Sequence, residues 1–368
     1  MIDNIELDRL EQRHKNLRIL QNCNFGKTVL MILVILGHSV DFWNGNWFTK
    51  NPLILSPGLC LLSKWINSFH IYAFTLISGY IFAYKMKEGG YIKYLPFLKN
   101  KMKRLLVPYV FTAIVWVIPI SQYFFRWDII TILKKYFLCE NPSQLWFLWM
   151  LFDVFAISWP LWKWLSGNIA TGLCLSGTLY FAGILGSRIS PNIFCIFTAC
   201  QYILFFFIGI QIRISHEKNN KHVCLIPWWG WVPIYVILFW IVLMIEQSRR
   251  FKGLYVILEM LLHIVGALLA FAIMNKLSEC IRWQKNKIFI MLLKYSMPMY
   301  LFHQQIIYWI ISIFNGKVLP VIHAGMNFFF SVIGAFIISY LLMKFRITRY
   351  LVGEEKSIDM KKSIDANM

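Results

Sequence analysis

Charge is scarce in this chain. Only 15% of its 368 residues are charged, while 58% are hydrophobic. A water-soluble domain is about a quarter charged, so the shortage argues against a soluble globular protein and for a chain embedded in lipid. Acidic residues are the scarcest charges, 17 against 37 basic ones, which leaves a formal net charge of +20. In a soluble protein that excess would point to nucleic acid. In a membrane protein it belongs in cytoplasmic loops, and no nucleic-acid partner is expected. No CxxC pair occurs among the 8 cysteines and no Cys–His spacing suits zinc, so the cysteines read as small buried hydrophobes and no metal is expected. The first 20 residues lack the apolar stretch of a signal peptide. No long polar segment interrupts the chain, which excludes a separate soluble catalytic domain.

What the chain does have is a series of long apolar runs. A helix needs about 20 apolar residues to cross the hydrocarbon core. Such runs lie near 28–43, 66–84, 105–125, 145–162, 168–186, 193–212, 226–245, 254–275, 288–313 and 320–343. With the N-terminus inside, 26 Lys and Arg fall on the cytoplasmic side and 10 on the other, the bias that the positive-inside rule requires. The expected fold is an all-α polytopic bundle of about ten transmembrane helices with both termini cytoplasmic. Residues 1–26 form an inner N-terminal segment, 27–345 the membrane domain and 346–368 an inner tail.

Ionisable residues inside spans are costly and tend to face the protein interior. The first run, FGKTVLMILVILGHSVDFW, carries Lys27, His38 and Asp41. Lys27 and His38 are eleven residues apart, three turns plus about 20°, so they share a helix face at an axial separation of about 16 Å. Lys27 reads either as a topology anchor or as a point charge for phosphate. His38 reads either as a hydrogen-bonded interfacial residue or as a general base. Asp41, at i+3, is placed to orient the imidazole. A ligand with an anionic head at Lys27 and a long thin arm, the shape of coenzyme A, would bring its reactive end to His38.

The other polar positions keep two readings each. His70 starts a span and reads first as interfacial. Glu259 and His263 are i,i+4 and read as an intramembrane pair, either structural or acid–base. His303 reads as a lining residue of the His38 cavity or as an interhelical contact. Asp153 and Lys294 read as neutralising charges elsewhere in the bundle. The basic loop 85–104, ending in Lys101, Lys103 and Arg104, reads as a headgroup anchor or as a phosphate clamp; the two are compatible.

Six motifs, in order, resemble the acyltransferase-3 family of bacterial membrane acyltransferases, and especially its branch of fucose 4-O-acetylase-like enzymes. They are KTVLMILVILGHS (27–39), FHIYAFTLISGYIF (69–82), KNKMKRLLVPY (99–109), LWFLWMLF (145–152), FFFIGI (205–210) and SMPMYLFHQ (296–304). The resemblance implies a cell inner-membrane enzyme that uses acyl-CoA, usually acetyl-CoA, as donor. It implies a hydroxyl of a surface polysaccharide or of its lipid-linked precursor as acceptor. It implies His38 as the catalytic residue and the basic residue of the first helix as a donor contact. Lys27 stands where many members carry Arg, so the charge is kept and the bidentate fork is lost. Ser78 and Ser296 lie within the matched motifs and, with His70, Glu259, His263 and His303, are candidate supporting or acceptor positions. A flippase or transporter of lipid-linked sugars, or a glycan polymerase, needs a similar bundle. Internal repeats would favour the transporter and a large outer loop the polymerase, and the sequence has neither.

Overall fold

The computed structural model describes residues 2–45, 47–217, 228–246, 252–280 and 282–354. Among these residues the secondary structure is helical and no strand occurs. The α-helices are α1 (Ile2–Val40), α2 (Pro57–Asn67), α3 (His70–Lys87), α4 (Tyr94–Thr112), α5 (Ile118–Phe125), α6 (Ile129–Ile132), α7 (Trp146–Ser158) and α8 (Trp162–Ser166). They continue as α9 (Ile169–Ile189), α10 (Ile196–Glu217), α11 (Trp228–Glu246), α12 (Lys252–Cys280), α13 (Lys287–Phe314), α14 (Pro320–Leu342) and α15 (Arg346–Leu351).

Eight segments among the described residues are long and apolar enough to cross a membrane. Two further expected spans fall on α13, a 28-residue helix diluted by Lys287, Lys294 and three polar residues at 303–305, and on α7. With 13 residues, α7 covers about 20 Å, less than the hydrocarbon thickness. The chain is an all-α, multi-pass membrane protein.

The helix boundaries follow local chemistry. Ser56 caps α2 by accepting the Leu59 amide, and Pro57 opens the helix, where its missing N–H is no loss. Asn286 caps α13 in the same way, accepting from the Ile288 and Phe289 amides. A wide π-helical turn at Ala113–Val117 joins α4 to α5 just before Pro119, whose ring has no amide to continue an α-helical ladder.

The helices are inside out. On α14 the inward stripe is His323, Ala324, Asn327, Ser331, Ala335 and Ser339, while Val321, Ile322, Phe329, Phe330, Ile333, Ile337 and Leu341 are exposed. On α9 the buried set is Gly172, Ser176, Tyr180 and Gly183. Small and polar residues facing neighbours, with large apolar ones facing outward, is the pattern lipid demands.

The centre of the bundle is α3, packed between α1, α10 and α12; α13 and α14 flank α1, α9 and α7 flank α10, and α11 covers α12. The α3–α10 crossing is a backbone contact. A methyl group built on Gly79 would lie 2.0 Å from the Phe206 carbonyl oxygen, and one on Gly209 2.0 Å from the Leu76 carbonyl oxygen.

The helix α1 runs unbroken from residue 2 to residue 40, through the boundary expected at 26–27. Two expectations need correction. The basic stretch 99–104 is not loop, because α4 starts at Tyr94. The span expected from residue 66 is preceded by a separate helix, α2, and α3 begins only at His70. Residues 355–368 of the expected tail lie outside the described residues.

Candidate active site

The site is built where α1 ends. After Val40 the chain tightens into a 3₁₀ turn, Asp41–Asn44, which carries Asp41 back beneath the last turn of α1. The Asp41 Oδ2 atom lies 3.0 Å from His38 Nδ1. Its Oδ1 atom accepts from Ser63 Oγ at 2.6 Å and from Asn67 Nδ2 at 2.8 Å, both from α2. Asp41 is buried, at 7% exposure, so these three partners meet the requirement that a buried carboxylate be hydrogen-bonded. With Nδ1–H donating to Asp41, the neutral His38 ring presents Nε2 as a lone pair. Among the described residues that nitrogen has no hydrogen bond.

The His303 ring stacks on His38 at 5.2 Å between centroids and 25° between planes, and Trp47 stacks at 5.9 Å. His303 is fully buried. Its Nδ1 donates to the Tyr300 carbonyl at 2.7 Å, and its Nε2 has no partner. Behind it, Gln144 and Gln305 hold each other through paired amide bonds of 2.8 and 3.1 Å. Gln144 also donates to the Leu301 carbonyl and accepts from the Tyr300 hydroxyl at its own carbonyl. From α14, Asn327 donates to the Ser39 carbonyl at 3.0 Å. Four elements therefore lock the end of α1: its own 3₁₀ turn, α2, α13 and α14.

At the other end of the helix face, the Lys27 ammonium sits 5.6 Å from the Phe74 ring centroid. Neighbouring Gly26 abuts Ile77, one turn of α3 away, so the ammonium points along α1 toward the His38 end. Ring contacts link the two: Phe74 to Phe147 at 5.2 Å, Phe147 to Tyr300 at 6.2 Å, Tyr300 to His303 at 5.9 Å and His303 to His38 at 5.2 Å. Lys27, Phe74, Phe147, Tyr300 and His38 are all half-buried. Lys101 and Arg104 of α4 lie within electrostatic reach of Lys27. Lys101 is caged by Phe155 at 3.5 Å, Tyr91 at 5.3 Å and Phe97 at 5.5 Å. Lys103 is half-buried.

Several candidates lie elsewhere. His70 is buried; its Nδ1 bonds the Ile66 carbonyl at 2.7 Å within reach of His38 and Asp41. Ser78 and Ser296 bond carbonyls of their own helices, Phe74 and Leu293. Glu259 and His263 do not pair. Glu259 accepts from the Tyr255 hydroxyl at 2.9 Å, while His263 bonds the Ser68 carbonyl at 2.9 Å and stacks on Tyr72 at 3.9 Å. Asp153 keeps an unpartnered oxygen, and Lys294 lies over the Tyr295 ring.

Sequence reasoning missed Ser63, Asn67, Gln144, Gln305, Asn327 and Arg213. The i,i+4 spacing of Ser63 and Asn67 was a usable signal once 57–67 was read as a helix. Arg213 lies one residue beyond the span expected at 193–212; the structure buries it within α10 at 3% exposure.

No curated protein and no solved structure matches the chain. The profile of one family, described as an acyltransferase domain, matches residues 21–344, which contain Lys27 and every residue of the constellation around His38. By that match the chain is a member of the acyltransferase-3 family and a membrane acyltransferase.

Proposed function

We propose that this protein is an acyl-CoA-dependent O-acetyltransferase of the bacterial inner membrane, acting on a hydroxyl of a cell-surface polysaccharide or its lipid-linked precursor. The observation that carries the reading is the His38–Asp41 pair, with Nδ1 engaged at 3.0 Å and Nε2 open, on the same helix face as Lys27.

The chemistry follows from that geometry. Acyl-CoA docks from the cytoplasm with phosphate near Lys27 and the Lys101–Arg104 turn, and its arm follows the rings of Phe74, Phe147 and Tyr300. The acceptor arrives from the opposite side. His38 Nε2 removes the proton of the sugar hydroxyl as its oxygen attacks the thioester carbonyl. The carbon–sulfur bond breaks, and the proton leaves His38 for the departing thiolate. Asp41 fixes the tautomer and stabilises the imidazolium that forms in between. His303 packs against the ring and restricts its rotation. A donor inside and an acceptor outside account for a reaction centre within a membrane bundle.

The test is transfer of labelled acetyl from acetyl-CoA to glycan by membranes containing the protein. Wild type transfers label; His38→Ala accumulates to the same level and transfers none. Normal transfer by that variant would overturn the assignment.

A further inference from the structure

Among the described residues, one fully buried cation is not used by the reaction scheme. The Arg213 guanidinium sits in α10 at 3% exposure, 5.2 Å from the Tyr84 ring centroid and 5.9 Å from that of Tyr80. Among the described residues no carboxylate lies within ion-pair distance of it, and its Nε–H has no acceptor. The nearest acid on its own helix, Glu217, is paired with Lys87. A buried guanidinium without an anion is costly, and ring faces offset only part of the loss of hydration.

The surroundings indicate what the missing partner is. Cys23, one turn before Lys27 on α1, lies within electrostatic reach of both Arg213 and Lys27. Lys27 in turn is within reach of Lys101 and Arg104. Cations from α1, α4 and α10 thus converge around one end of α3. The planar fork of Arg suits two oxygens of one phosphoryl group, whereas Lys offers a point charge.

We propose that Arg213 is a phosphoanion subsite: its guanidinium binds a diphosphate or phosphate monoester whose charge is shared with Lys27. Tyr80 and Tyr84 wall one side of the guanidinium. Assigning this phosphate to the acyl donor rests on the function proposed above. The same chemistry is presented by a phospholipid headgroup, and the experiment separates the two sources.

The full-length protein is placed in nanodiscs of phosphatidylcholine and titrated with inorganic pyrophosphate and with coenzyme A. Loss of a charge-assisted contact corresponds to about a ten- to hundred-fold loss of affinity, and Arg213→Gln is expected to weaken both probes by that factor. Arg213→Lys falls between, and Lys163→Gln, which removes an exposed charge, binds as wild type. If Arg213→Gln does not accumulate, the Arg213→Lys titration decides, with unchanged affinity overturning the subsite. Wild-type affinity in a folded Arg213→Gln protein also overturns it. If neither probe binds wild type, but phosphatidylglycerol in the discs raises its melting temperature through Arg213, the phosphate is a headgroup's. No response to pyrophosphate, coenzyme A or phosphatidylglycerol overturns the proposal. His38→Ala is expected to keep pyrophosphate affinity while losing transfer, so failure of the subsite and failure of the catalytic reading give different results.

Discussion

At the scale of single residues, the site depends on which nitrogen of His38 carries the proton. Asp41 decides this, because its Oδ2 faces Nδ1 while its Oδ1 is held by Ser63 and Asn67. Asp41→Asn preserves shape and leaves an amide oxygen for those two donors, but it removes the acceptor that fixes the tautomer. We expect acetyl transfer to fall by about 10²- to 10⁴-fold with little change in the melting temperature, measured by labelled transfer and thermal unfolding of the purified protein. A second expectation concerns Lys27. Lys27→Ala is expected to raise the KM for acetyl-CoA by about ten-fold or more, the loss of one charge-assisted contact. Lys27→Arg is expected to stay near wild type, because charge is kept. Equal KM values in the two variants count against a phosphate contact.

The residue scale also shows what spacing can reveal. Asp41 was legible, because i+3 within one helical stretch fixes proximity. Glu259 and His263 were misread as a pair by the same logic at i+4. Their partners are Tyr255, one turn back, and the carbonyl of Ser68 on another segment, and no intrahelical spacing reports a carbonyl released where α2 gives way to α3. Ser63 and Asn67 were hidden by a boundary error: with the span begun at 66, the helix that holds Asp41 did not exist in the reading.

Among the elements, the α3–α10 crossing gives two matched motifs a physical cause. SGY at 78–80 and FFFIGI at 205–210 meet there, each helix offering one glycine to a carbonyl of the other. Neither neighbour is a flexible side chain, so a β-carbon forces the backbones apart. Gly79→Ala and Gly209→Ala are each expected to destabilise the bundle by about 1–3 kcal/mol or more, seen as a lower melting temperature or reduced accumulation. Gly177→Ala, on α9 with open space beside it, is the control. The motif order was readable from sequence; that two of the motifs form one interface was not, because helix pairing is a tertiary property. Arg213 belongs to the same lesson. Hydropathy ended the sixth span at residue 212, one position before the charge, whereas α10 continues to Glu217 because Arg213 turns inward among Tyr80 and Tyr84.

For the whole molecule, the apolar runs located the long helices, since lipid imposes length and composition together. They did not locate α2, which begins before its apolar run, or the short helices α6, α8 and α15, and the run over α7 did not show that this helix is too short to cross. The inside and outside of the bundle are assigned by basic residues alone. Reporter tags fused to residue 1 and after residue 368 are expected to be protected together in sealed membrane vesicles of one orientation and exposed together in the other. Tags that report on opposite faces would remove the donor-inside, acceptor-outside arrangement.

The stripe of α14 has a consequence for how this protein tolerates change. In a soluble helix the greasy face is the guarded one. Here Ile322, Phe329, Ile333 and Ile337 look out on fluid hydrocarbon, where one oily side chain serves as well as another. The guarded positions are instead the modest ones, His323, Asn327, Ser331, Ala335 and Ser339, recurring every fourth residue, where even an added methyl must find room against a neighbouring helix. Drift along this helix is therefore confined like the gaps of a comb, free between the teeth and blocked at each of them.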